Sequence, residues 1–168
     1  AFYSRGWGLF QIGQVEEGLD GMRQGGAKWL ATGARLAMTH YDQQLAQAYL
    51  SAGDDQNAWD RLEKGFSLVE TGPFWEAELH RLRGELLIRR AAPPDEIEAA
   101  FQQAFDIARR QQAKALVLRA AVSRGRWYAQ TDRRAEALAQ LEEAYGALTE
   151  GFETTDLRQA QALMETLR

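Results

Sequence analysis

The chain has 168 residues, no Cys and a formal net charge of −4 with a pI near 5.3. A domain of about 150 residues buries roughly 68–70% of its unfolded surface, so a core can form here without disulfides or a structural metal. The acidic balance argues against nucleic acid, no apolar run approaches the roughly 20 residues that cross a bilayer, and no secretory leader is evident, so a soluble cytoplasmic protein is expected.

Helical signals dominate in chain order. Pro occurs only at positions 73, 93 and 94, and no strand-type alternation is sustained. Breaks are expected at Gly13, Gly33, Gly53, Gly72-Pro73, Ala92-Pro93-Pro94-Asp95, Thr131-Asp132 and Gly151. From Glu96 to Ala121 the chain reads as a helix, a tight corner near Gln111 to Lys114, and the start of the next helix. Ile97, Ala100, Phe101, Ala104, Phe105 and Ala108 share one face of the first of these. Thr154 or Thr155 with Asp156 signals the start of a last helix, with an apolar stripe of Leu157, Ala160, Leu163, Met164 and Leu167. The chain opens Ala-Phe-Tyr without Met and is expected to be a fragment of a longer protein.

Self-comparison shows a repeat. The large residue in the middle of each second helix, Met22, Leu62, Phe101 and Leu141, recurs at spacings of 40, 39 and 40. Three residues on stand Gly25, Gly65, Ala104 and Ala144, and four residues before stand Gly18, Ala58, Ile97 and Ala137. In the first helices the pairs are Gly6 with Leu9, Ala46 with Tyr49, Gly84 with Leu87 and Gly125 with Tyr128. A small residue is needed where two helix axes come closest, and a large one then packs into the next repeat. The expected fold is all-α: a single domain, 1–168, of four helix-turn-helix repeats (about 1–33, 34–72, 73–112 and 113–151) with a capping helix over 154–168.

These small-aromatic-small positions resemble the tetratricopeptide repeat, which implies a right-handed α-solenoid. The period is near 40 rather than about 34 residues, and the closing Pro is absent, so a longer-helix variant fits better. Four strings sharpen the resemblance: Phe74 to Leu87 (FWEAELHRLRGELL), Ala104 to Lys114 (AFDIARRQQAK), Leu118 to Ala121 (LRAA) and Glu150 to Leu157 (EGFETTDL). Together they look like the C-terminal repeat region of large bacterial signalling proteins, in which a class III adenylate or guanylate cyclase domain, or a DNA-binding domain, precedes a predicted signal-transduction NTPase. The resemblance covers nearly the whole chain and carries no catalytic residues. It implies a non-enzymatic module that binds a protein, a peptide or a small ligand and regulates the attached domains.

In tetratricopeptide-like stacks the first helices line the concave face. By this resemblance the ligand-facing residues are Tyr3, Trp7 and Phe10, then His40, Gln43 and Gln47, then Glu78, Arg81 and Glu85, then Arg119 and Arg126. Arg forks bind carboxylate or phosphate, and aromatic side chains anchor apolar groups. The alternative is that Arg81, Glu85 and Arg119 pair with one another across repeats.

Other chemistry is not supported. No GxxxxGK[ST] loop exists, and Gly25-Gly26 reads as close helix packing or a kink rather than as a phosphate site. His40 and His80 lack a carboxylate pair and read as structural, so neither a metal nor a cofactor is expected. The run Arg109, Arg110, Lys114, Arg119, Arg124, Arg126, Arg133 and Arg134 reads as a solvated helix face beside an acidic neighbour. Trp29, Trp59, Trp75 and Trp127 are expected in the core or between repeats. The second functional expectation is a self-association segment: a homodimer through the first helix, with Phe2, Trp7, Leu9, Phe10 and Ile12.

Overall fold

The computed structural model describes residues 2–33, 35 and 37–168. Among them there are nine α-helices and no strand: α1 (Phe2–Gln11), α2 (Val15–Ala31), α3 (Met38–Ala52), α4 (Asp55–Phe66), α5 (Glu76–Arg89), α6 (Pro94–Arg110), α7 (Lys114–Gln130), α8 (Arg134–Gly146) and α9 (Thr155–Leu167). Two short 3₁₀ turns, Val69–Thr71 and Pro73–Trp75, link α4 to α5. The expected all-α class is therefore observed. The chain divides into two compact units, Ala1–Leu82 and Arg83–Arg168.

In the first unit, α1 and α2 form an antiparallel hairpin whose axes touch through glycine. A Cβ on Gly6 would lie 2.5 Å from Met22 N and 2.7 Å from Gly18 O, and a Cβ on Gly25 would lie 2.5 Å from Tyr3 N. These are backbone atoms, so no rotamer change could make room. The close-packing reading holds for Gly25, whereas Gly26 is buried but has no described atom within 4 Å of an added Cβ. α3 and α4 make the next hairpin. Gly53, at φ 83°, ends α3 in the left-handed conformation that glycine adopts without a Cβ penalty, and Asp54 begins α4 by accepting from Asn57 N at 3.1 Å. Met22, Leu45, Ala46, Ala48, Leu62 and Leu79 fill this core.

In the second unit, α6 buries all six residues of its expected face, and Ile107 with them. Gly84 on α5 takes the Phe101 ring, which would come within 2.8 Å of an added Cβ. α7 is buried over an almost continuous run from Ala120 to Tyr128, because α6, α8 and α9 all pack on it. α9 begins where the Thr-Asp signal puts it, but the Thr154 side chain makes no capping hydrogen bond. Its stripe is buried at Leu157, Ala160, Met164 and Leu167, and Leu163 is half-buried.

The residues that recur along the sequence are buried with one exception, Leu9, which is half-buried. The tryptophans depart further from expectation. Trp127 is buried, Trp59 and Trp75 are half-buried, and Trp29 is 39% exposed, its ring edge-on to Tyr41. Trp29 lies in the last turn of α2, beyond the stretch that α1 covers.

Candidate functional site

In the first unit, His40, Gln43 and Gln47 recur at helical spacing on α3 and are met by Glu78 and Arg81 from α5. Arg81 Nε donates to Glu78 Oε1 at 2.6 Å, and Arg81 Nη2 donates to Gln47 Oε1 at 2.6 Å. Both charged side chains are buried, 5% exposed for Arg81 and 1% for Glu78. The Arg81 fork is thus already engaged by protein groups.

His40 lies with its ring centroid 4.5 Å from that of Trp75, and Gln43 Nε2 donates to its Nδ1 at 3.2 Å. Burial lowers the His40 pKa below the ordinary imidazole value. The unfolded chain, with a His pKa near 6.5, therefore takes up the proton more readily than the folded one. His40 contributes stability above about pH 6.5, and this is lost as the pH falls below that value towards the lowered one. The midpoint of urea unfolding, followed from about pH 8 to about pH 5, should fall less in His40→Gln than in the unaltered chain. Equal slopes would show that the ring does not titrate on unfolding.

On α1, Tyr3 is buried. Its hydroxyl donates to Tyr41 O at 2.9 Å, and burial pushes its pKa up. Trp7 is half-buried and stacks on Phe10 at 6.0 Å, while Phe2 and Ile12 are 52% and 72% exposed.

In the second unit, the remaining expected residues have partners of their own. Ser123 Oγ donates to Glu85 Oε1 at 2.6 Å, and Arg119 Nε stands 3.9 Å from Asp156 Oδ2. Arg126 is exposed and donates to Gln159 Oε1 at 3.3 Å. A groove of about 550 Å³ opens beside α6, α7 and α8, with Arg109, Lys114 and Glu143 on its polar side and Ala108, Val117 and Ala144 on its apolar side.

The sequence reading missed two clusters. Arg124, placed on a solvated face with its basic neighbours, is buried. It lies 4.4 Å over the Phe105 ring and donates to Gln140 Oε1 at 3.0 Å and Glu98 Oε1 at 3.4 Å. Tyr128 donates to the same carboxylate, and burial with that hydrogen bond pushes its pKa up to about 12. The second cluster is Asp42 with Arg61, whose Nη1 donates to Asp42 Oδ1 at 3.3 Å. Its signal was an acidic residue within the stripe Met38, Tyr41, Asp42 and Leu45, a helical spacing otherwise without charge.

Among the described residues no group of three or more His, Cys, Asp or Glu could hold a metal, and no helix is long and apolar enough to cross a membrane. Comparison with protein-family models, with curated proteins and with solved structures finds no match for the chain.

Proposed function

We propose that the chain is a tetratricopeptide-like binding module, a right-handed solenoid of four helix pairs and a capping helix. It would sense a protein, a peptide or a small ligand and so regulate domains attached to it, of the cyclase, NTPase or transcription-regulator kind. One observation supports the reading above others: small residues at the recurring first-helix position are buried at Gly6, Ala46, Gly84 and Gly125, with a close helix contact at each glycine. Repeats of this kind cannot bury their apolar faces alone, and stacking couples each to its neighbours, so occupancy of one face changes the whole array. No reaction is assigned to it.

Arg119 and Arg126 are the residues of the expected wall best suited to a test. Arg126 is exposed, and Arg119 is half-buried beside Asp156 Oδ2 at 3.9 Å. A thermal-shift screen with short acidic peptides, nucleotides and sugars should raise Tm for a binder, by the equivalent of about 2.7 kcal/mol at a hundredfold excess over Kd. The shift should disappear in Arg119→Ala or Arg126→Ala. The reading fails if no probe shifts Tm and deleting the region leaves regulation of the longer protein intact.

Self-association is favoured by one observation, the exposure of Phe2 on α1 and of Ile12 just after it. A sedimentation mass that rises with concentration, and falls back in Ile12→Lys, would support it.

A further inference from the structure

The first unit holds a cleft that the expected wall does not use. It lies between α2, α3 and α4 and encloses about 170 Å³. Leu30, Met38 and Leu45 form its apolar side, and Asp42, Arg61 and Lys64 its polar side. On α3 these residues follow the stripe 38, 41, 42 and 45, whereas His40, Gln43 and Gln47 follow a different one.

Asp42 is the unusual member. Its side chain is 1% exposed, and Arg61 engages only one of its oxygens. The other, Oδ2, is buried and has no hydrogen-bond donor among the described residues. Buried polar atoms almost always have a partner, and a carboxylate without enough donors is the more costly case. Burial drives the Asp42 pKa up while Lys64 and Arg61 pull it down. On balance the pKa is raised, so the two cations do not fully offset the burial of this carboxylate, and Arg61 leaves one of its oxygens unengaged.

The charges on the walls are unbalanced. Arg61 and Lys64, one helical turn apart on α4, face a single carboxylate, and Arg23 on α2 adds a third cation at the rim. Arg23 is engaged there by Tyr49 and Asp20, each at 3.4 Å. The complement of such a cleft has a cationic donor for Asp42 Oδ2 and an anionic group for the α4 cations. At about 170 Å³ the cleft is small beside the roughly 300–1,000 Å³ of common ligand pockets, which favours a ligand smaller than a nucleotide or an oligosaccharide.

We propose that this cleft binds a small zwitterion of the α-amino-acid class. The ammonium donates to Asp42 Oδ2, the carboxylate lies between Arg61 and Lys64, and a short side chain packs on Met38 and Leu45. This goes beyond the wall reading and stands on a different face of α3, so its failure leaves that reading untouched.

The test uses the whole chain, with L-alanine, L-valine, L-serine and L-threonine as probes. Calorimetry and the Met38 methyl signal read binding. At least one probe should bind at millimolar concentration or tighter and shift the Met38 methyl. For L-valine, removing the amine (isovalerate) or the carboxylate (isobutylamine) should each weaken binding by about tenfold or more. Asp42→Asn and Lys64→Gln should do the same. Lys64 is exposed, so Lys64→Gln decides should Asp42→Asn fail to fold. The proposal is overturned if no probe moves the Met38 signal, if isovalerate binds as well as L-valine, or if Lys64→Gln leaves affinity unchanged.

Discussion

Gly6→Ala should detach α1 from α2 and destabilise the first unit by about 3 kcal/mol, the upper end of overpacking penalties. The added methyl would meet Met22 N at 2.5 Å, with Gly18 O and Gly21 C both at 2.7 Å. Backbone cannot rotate aside as a side-chain tip can, so one helix must slide off the other. Leu19 and Met22, both buried on α2, would then lose their close packing. Gly25→Ala should behave alike, since its methyl would meet Tyr3 N at 2.5 Å. Gly8 and Gly26 lie in the same two helices with no described atom within 4 Å of an added Cβ. There Ala should stabilise by about 0.5–1 kcal/mol, through the backbone entropy that glycine loses on folding. Urea unfolding of the four variants, with hydrogen exchange of the amides in α1, checks the pattern. If Gly6→Ala unfolds at the midpoint of Gly8→Ala, the hairpin is not held by glycine contacts.

That pattern shows why much of the fold was legible in the sequence. Gly6, Gly18 and Gly25 stand at positions that recur along the chain, and a recurring small residue has few explanations besides close approach. The α6 face was legible for a related reason: Phe101 and Phe105 alternate with Ala100, Ala104 and Ala108 at helical spacing. The turns were less so. Gln112 and Asp132 adopt φ of 53° and 60°, the left-handed region, without the glycine that marks Gly13 and Gly53. At Gln112 the position could be inferred only from the end of the α6 pattern.

The polar sites were harder to read because charge alone does not report burial. Arg124 looks like any other residue of its basic run, and only tertiary packing places it against Phe105 and Glu98. Asp42 left a trace, a charge within an apolar stripe, but its partner Arg61 is 19 residues away on another helix. Of the expected wall, Gln47, Glu78 and Arg81 do come together, with the buried Arg81 guanidinium donating to both of the others. A residue type suited to gripping a ligand is equally suited to gripping its neighbours.

Arg81→Met should accordingly act on stability more than on binding. The substitution removes a guanidinium that is 5% exposed from a carboxylate that is 1% exposed, and breaking a buried ion pair of this kind costs about 3–5 kcal/mol. Gln47 would also lose the donor that now meets its Oε1 at 2.6 Å, but it is only half-buried and can turn to water. Converting both charges, Glu78→Leu with Arg81→Met, removes the stranded carboxylate and should recover most of the loss, because apolar replacements of a buried pair are often neutral or better. Denaturant unfolding of the two single variants and the double gives the coupling energy directly. Additive losses would show that the pair is not the unit of stability here. The magnitude also bears on how the wall can be tested. A variant that loses several kcal/mol shifts Tm by itself, so a vanished ligand response in Arg81→Met could not be separated from partial unfolding. Arg126 is exposed and donates to the Gln159 amide oxygen, so Arg126→Ala should stay within about 0.5 kcal/mol of the unaltered chain. Loss of a ligand response in that variant would therefore report contact with the ligand itself.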